Sequence, residues 1–359
     1  MAPTALGIPL VRGATARADA AGRPDAAGLV DRFGRMATDL RVSLTDRCNL
    51  RCTYCMPAEG LPSIGRERTM TADEIERLVR IGVERLGVRQ VRFTGGEPLL
   101  RADLVDIVAR IAAIEPRPEI SLTTNAIGLD ARAGKLKAAG LDRLNVSLDS
   151  LRHDTFEAVT RRPFLDRVLA GIAAADEAGF APIKLNAVLL PGVNEDESIE
   201  LLDWALEHGY ELRFIEQMPL DADHSWNRRT MVTAAELRET IGRRRTLAPD
   251  EAPRDGAPAE RFAVLDGGGR RLGTLGIIAS VTEPFCADCR RTRLTAEGDV
   301  RSCLFSHEEY GLLQPLRDGE SDAELADRWR AAMWVKPAGH ELGRADFVQP
   351  ERTMSAIGG

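Results

Sequence analysis

The chain has 359 residues, of which 44% are apolar and 29% charged, and its formal net charge is -7. That composition suits a globular protein long enough for one large or two moderate domains, and its negative balance argues against nucleic acid or an anionic membrane as partner. No apolar run reaches the length of a membrane span or the core of a secretory signal, so the cytoplasm is the expected compartment.

Residues 1–36 are rich in Ala, Gly, Arg and Pro without periodicity, and read as a flexible tail. From Leu40 onward, short β-branched or apolar runs alternate with amphipathic stretches. Strands are expected at Leu40 to Thr45, Gln90 to Thr94, Glu119 to Thr123, Arg143 to Leu148, Pro182 to Leu190 and Glu211 to Gln217. Thr71 and Glu74 form a capping box ahead of the stripe Ile75, Leu78, Val79 and Leu86. Leu104, Ile107, Val108 and Ile111 make a second stripe, and Ile199, Leu202 and Trp204 to Leu206 a later one. Repeated βα units of this kind predict an α/β fold, an incomplete (β/α)6 TIM-like barrel over residues 37–220. After Met218 the rhythm changes to a helix near Thr233 to Arg244, a Pro-rich acidic stretch with Pro249, Pro253 and Pro258, and short strands. Residues 221–359 therefore read as an appended C-terminal region.

All six cysteines fall into two triads. Cys48, Cys52 and Cys55 follow the first strand, on a loop at the carboxyl edge of the sheet where α/β folds bind ligands. Three thiolates can hold three irons of a four-iron cluster and leave the fourth iron open. A zinc site is the alternative, although structural zinc takes four ligands. Cys286, Cys289 and Cys303 repeat the count, and His307 follows at a spacing that a Cys3His zinc site also accepts. Behind the second strand, Gly95-Gly96-Glu97-Pro98 allows a sharp turn with exposed peptide groups and a carboxylate, which can meet an amino or carboxylate group; alone it is an ordinary βα corner.

Strand alternation puts Arg41 with Ser43 and Thr45, Arg92 with Thr94, Thr123 with Asn125, Asn145 with Ser147 and Asp149, and Lys184 with Asn186. Each cation alone reads as a solvated edge residue. Together, Arg41, Arg92, Lys184, Arg213, Arg291 and Arg293 predict a cationic cavity inside an acidic protein, and so a polyanionic substrate.

The first triad, with Tyr54 before its last cysteine, resembles the signature of radical S-adenosylmethionine enzymes, and the Gly-Gly-Glu-Pro turn is similar to their methionine-binding motif. The segment Asp46-Arg47-Cys48-Asn49, the second triad, Arg291-Thr292-Arg293 and the terminal Gly358-Gly359 narrow the likeness. Residues 36–359 resemble the GTP 3′,8-cyclase family, which opens molybdenum cofactor biosynthesis. The resemblance implies two [4Fe-4S] clusters on the six cysteines. It implies S-adenosylmethionine against Tyr54, Gly96, Glu97, Asn125, Ser147 and Met218. GTP would be held by Arg41, Arg92, Thr123, Lys184, Arg291, Thr292 and Arg293, with Arg213 of the cationic cavity beside them. Arg291, Arg293 and a Gly358-Gly359 tail reaching the site would promote catalysis. It further implies an unidentified electron donor and a downstream cyclic pyranopterin monophosphate synthase. A radical peptide maturase and a non-enzymatic iron or zinc sensor remain as other readings, and the oligomeric state is open, a homodimer included.

Overall fold

The computed structural model describes residues 17–62, 64–342 and 347–358. The expected strands form as β1 (Asp39–Ser43), β2 (Gln90–Thr94), β3 (Glu119–Thr124), β4 (Arg143–Ser147), β5 (Lys184–Val188) and β6 (Glu211–Ile215). They lie side by side in chain order and all run parallel. Between them run α1 (Ala72–Leu86), α2 (Leu104–Ala112), α3 (Ala133–Ala138), α4 (His153–Thr160), α5 (Leu165–Glu177) and α6 (Ser198–Glu207). The capping box at Thr71 and Glu74 starts α1, and Gly87 in the left-handed region ends it. Its stripe of Ile75, Leu78, Val79 and Leu86 is buried. On the strands, Leu40, Val42, Val91, Phe93, Leu122, Leu144 and Val146 are fully buried and form the core, each worth about 1.5–3 kcal/mol of transfer free energy. The alternate positions point the other way and carry the polar groups.

The C-terminal region adds strands to the same sheet. After α7 (Ala234–Gly242) come β7 (Thr246–Pro249), β8 (Glu260–Leu265), β9 (Arg271–Ile278), β10 (Arg291–Leu294), β11 (Asp299–Arg301) and β12 (Tyr310–Gly311). β9 pairs parallel with β6 and β10 parallel with β1, so this region extends the sheet at both flanks. The result is one open twelve-stranded sheet that ends at β12 and β7. Short β12 and Pro249 at the end of β7 limit further pairing at those edges. The chain continues through α8 (Leu313–Arg317), α9 (Asp322–Trp334) and α10 (Met354–Ile357). Among the described residues, no helix is long and apolar enough to cross a membrane.

Residues 17–36 differ from the expected flexible tail. Leu29 is fully buried and the chain bridges Val30 to Met36. Arg35 pairs with Asp31 at 2.6 Å and donates to the carbonyls of Cys286 (2.7 Å), Ala338 (2.7 Å) and Pro337 (2.5 Å). Composition hid this because the packing is carried by few side chains among many small residues.

Candidate functional site

Both cysteine triads open onto one cavity of about 310 Å³ at the carboxyl ends of the parallel strands. All six thiols line it. The first triad sits on the loop after β1, held by the Gly-Gly turn after β2. Gly96 N–H donates to the Thr45 carbonyl and Glu97 N–H to the Arg47 carbonyl, both at 2.7 Å. A Cβ on Gly95 would lie 2.4 Å from the Thr45 carbonyl oxygen, and one on Gly96 2.3 Å from that of Arg47. The glycines therefore first let two loops touch, and this sets the position of Cys48. Glu97 accepts from Leu99 N–H (2.9 Å), Thr124 Oγ1 (2.7 Å) and Asn125 N–H (2.7 Å), so its carboxylate ties β2 to the end of β3. Burial pushes the Cys48 thiol up to about 11, with Glu97 adding to it, and Cys55 up to about 12, with Cys48 adding to it. Thiols in such surroundings ionise when a metal supplies the compensating charge.

The second triad has the opposite electrostatics. Lys336 Nζ and Arg291 Nη2 each lie 3.2 Å from Cys289 Sγ. Burial works against the thiolate, but Arg291 and then Lys336 outweigh it and hold Cys289 down to about 6. Arg291 also lies over the Phe285 ring at 4.7 Å. His307, the fourth ligand a zinc site would need, is exposed and contacts the Val348 carbonyl at 3.1 Å, outside the cavity lining. His340 lines the cavity instead, its backbone N–H on Cys286 and its Nε2 2.7 Å from the Ser280 carbonyl.

Arg41, Arg92, Arg213, Arg291 and Arg293 all line the cavity. Register puts Arg293, Arg41 and Arg92 in one row across β10, β1 and β2. Arg213 Nη2 donates to Asn145 Oδ1 at 2.5 Å, and Arg92 Nε to Ser121 Oγ at 3.3 Å. Burial and then mutual repulsion hold Arg41 well below its usual range, Arg213 down to about 9 and Arg293 down to about 10. Burial opposes ionisation of Asp39 beneath them, yet Arg92, Arg41, Arg291 and Arg293 keep its carboxyl below the ordinary value. The Nε atoms of Arg41, Arg213 and Arg293 and the Nη1 of Arg291 are buried and have no hydrogen-bond partner among the described residues.

Tyr54, Thr123, Asn125, Ser147 and Met218 also line the cavity. The Tyr54 hydroxyl donates to Asp149 at 2.7 Å, and Asn125 Nδ2 reaches Asn49 at 2.6 Å and Cys48 Sγ at 3.9 Å. Two expected substrate contacts fall elsewhere. Thr292 is fully buried on the opposite face of β10, where it accepts from Trp329 of α9 at 2.9 Å; alternation between two inward arginines requires this. Lys184 pairs with Glu211, its register partner on β6, at 3.2 Å, and is not part of the lining. Lys336, His340 and Phe285 are site residues that sequence reasoning missed; only Phe285, adjacent to Cys286, had a positional cue.

The C-terminal tail enters the cavity. Met354 and Ser355 of α10 line it, and Ser355 donates to Cys55 from both hydroxyl and N–H. Gly358, at φ +85°, sits where an added Cβ would meet Ser43 Cβ and Thr94 Cγ2 at 3.0 Å. Gly359 lies outside the described residues.

Residues 42–205 match the Radical SAM superfamily, and residues 210–342 match Molybdenum Cofactor Synthesis C. A GTP 3′,8-cyclase of Paenarthrobacter nicotinovorans is 61% identical over 343 residues, covering 92% of this chain and 97% of the relative. The chain belongs to the GTP 3′,8-cyclase family. Relatives of the same name from Mycolicibacterium smegmatis (56% identical, all of both chains) and Streptomyces coelicolor (60%, 92% of this chain and 96% of the relative) agree. Membership of the radical S-adenosylmethionine superfamily carries with it a [4Fe-4S] cluster and S-adenosylmethionine. Among solved structures, Streptococcus suis SuiB bound to S-adenosylmethionine is similar in fold, with a TM-score of 0.57 and 16% identity over 88% of this chain and 76% of that one. A second crystal structure of Streptococcus suis SuiB gives a TM-score of 0.55 at 17% identity, over 83% of this chain and 67% of that one. Such a likeness extends the cyclase assignment only as far as the fold.

Proposed function

We propose that this cyclase-family chain converts GTP to (8S)-3′,8-cyclo-7,8-dihydroguanosine 5′-triphosphate in the cavity that both triads line. The observation that carries the reading is the buried arginine row, whose unpaired donors sit in a cavity that also contains every cysteine. Guanidiniums crowded away from water are costly, and a triphosphate offsets that cost with charge-assisted, bidentate bonds.

Cys48, Cys52 and Cys55 would hold the cluster that cleaves S-adenosylmethionine, and Cys286, Cys289 and Cys303 a second one. A cluster fits better than zinc at both triads. Each triad offers three thiolates, the number that leaves one iron of a four-iron cluster open, whereas structural zinc takes four ligands. Bound there, the first cluster and S-adenosylmethionine would supply the radical that takes hydrogen from C3′ of GTP; joining C3′ to C8 breaks the C8–N7 double bond, and one electron from the donor and one proton would complete the dihydroguanosine. The chain's own part is positional. Tyr54, Gly96, Asn125, Ser147 and Met218 border the half of the cavity next to the first triad. Arg41, Arg92, Arg213, Arg291 and Arg293 orient the triphosphate, Lys336 and Arg291 hold Cys289 ionised, and the tail, through Met354 and Ser355, forms part of the wall beside the first triad. Residues 37–220 would thus serve the S-adenosylmethionine side and 221–359 the second cluster. An external electron donor and a downstream cyclic pyranopterin monophosphate synthase belong to the same reading.

The test is anaerobic incubation of reconstituted protein with GTP, S-adenosylmethionine and dithionite. Cyclised nucleotide and 5′-deoxyadenosine in equal amounts support the proposal. Turnover that ignores GTP but modifies an added peptide, or no 5′-deoxyadenosine at all, refutes it.

A further inference from the structure

Glu309 lies between two arginines in the interior of the second-triad region. It ion-pairs with Arg301, and both side chains are 2% exposed. Arg301 also donates to the carbonyls of Leu304, at 3.2 Å, and Ser306, so it grips the turn that carries Cys303. The other carboxylate oxygen of Glu309 is 2.9 Å from Arg352, which also reaches Glu297 at 2.8 Å and Asp299 at 3.7 Å. Arg68 closes the group on Glu297. Three arginines and three acidic side chains therefore meet here, and Glu309 is the one of them that both the cysteine turn and the tail contact.

Arg352 directly precedes Thr353, the N-cap of α10. That helix is a single turn, too short to hold itself in place, so its position depends on the anchors at its start. Its far end is the close fit of Gly358 between Ser43 and Thr94.

We propose that Glu309 is a positioning residue that couples the Cys303 turn to the docked tail. The tail then closes on the cavity only when the second triad is in order. The inference rests on reading that triad as a cluster site. In a low dielectric, a carboxylate shared by two guanidiniums cannot lose one without exposing the other to an unbalanced field. Disordering the Cys303 turn thus frees Arg301 from its carbonyls, shifts Glu309 and loosens Arg352.

The test is amide hydrogen exchange of the full chain, iron-loaded and metal-free, alongside kinetics. In the iron-loaded protein, Glu309→Gln should speed exchange over residues 352–358 by about tenfold or more, with iron content unchanged. Its kcat should fall while KM for GTP stays near the parent value. Removing iron from the parent should speed exchange in residues 303–306 and 352–358 together. Arg352→Lys should retain most of the protection that Arg352→Met loses, and this pair decides the matter if Glu309→Gln does not fold. An iron-loaded second triad with tail exchange indifferent to Glu309→Gln and to Arg352→Met overturns the inference. Absence of iron at the second triad overturns the underlying reading as well, and shows in the metal count before any exchange is measured.

Discussion

Arg41 and Arg293 are register partners on adjacent parallel strands, although they are far apart in sequence. Neighbouring strands are about 4.8 Å apart, and Arg92 continues the row on the other side of Arg41. Three guanidiniums crowded in line repel one another, and burial adds to the cost of their charge. Such a row weakens the fold and strengthens the grip on a polyanion.

Replacing one member should therefore separate binding from stability. Arg293→Met is expected to raise KM for GTP about tenfold to a hundredfold, the loss of a charged hydrogen bond worth about 1.5–3 kcal/mol. Its melting temperature should be unchanged or higher, because a repulsive neighbour is gone. Steady-state kinetics with a thermal melt check both; a lower melting temperature with an unchanged KM would contradict the assignment.

The triads should differ in what their loss removes. Cys48→Ala is expected to abolish 5′-deoxyadenosine, whereas Cys303→Ala should retain its formation from S-adenosylmethionine and lose cyclised nucleotide. Each variant should keep about four irons where the parent holds about eight. His307→Ala should leave the metal content unchanged, since that ring faces the Val348 carbonyl. Zinc in the parent, released by His307→Ala, would favour the mixed-metal alternative.

Lys336 donates to Cys289 Sγ and to the Arg291 carbonyl, the latter at 2.8 Å. A cation and hydrogen bond at a ligand sulfur favour the reduced form of a cluster. Lys336→Met should shift the second cluster to a more negative midpoint potential and leave the first cluster's signal in place, as read by potentiometric electron paramagnetic resonance. Lys336→Arg should restore much of the shift. Equal displacement of both clusters would point to general loosening instead.

Burial, and then Glu309, raise the Asp299 carboxyl from 3.8 to about 7. Between those values the folded state holds a proton that the unfolded chain releases, so stability falls as pH rises through this window. Asp299→Asn should flatten the melting temperature between about pH 5 and pH 7, by a few degrees relative to the parent. Parallel profiles for the two proteins would show that Asp299 does not titrate there.

Much of this architecture was legible because periodicity is local. β2 spans the expected Gln90 to Thr94, and α1 starts at its expected capping box. β1 stops at Ser43, two residues short of expectation, because the Thr45 carbonyl turns aside to accept Gly96 N–H. The pairing of β10 with β1 was not legible, since nothing local marks a partner so distant in sequence. Arg35 and Lys336 escaped for the same reason: both act on backbone or sulfur near the second triad from segments that carry no motif. Thr292 lies between two inward-facing arginines, so strand alternation turns its side chain to the opposite face. Lys184 meets Glu211 at the start of the next strand, a pairing that only the register between β5 and β6 reveals.

The most direct test of the cyclase reading is the fate of one hydrogen. Turnover of GTP carrying deuterium at C3′ should deliver that deuterium to 5′-deoxyadenosine, with one label per cyclised nucleotide. Unlabelled 5′-deoxyadenosine from the same incubation would mean that the arginine-lined cavity does not present ribose C3′ to the radical, and would contradict the account.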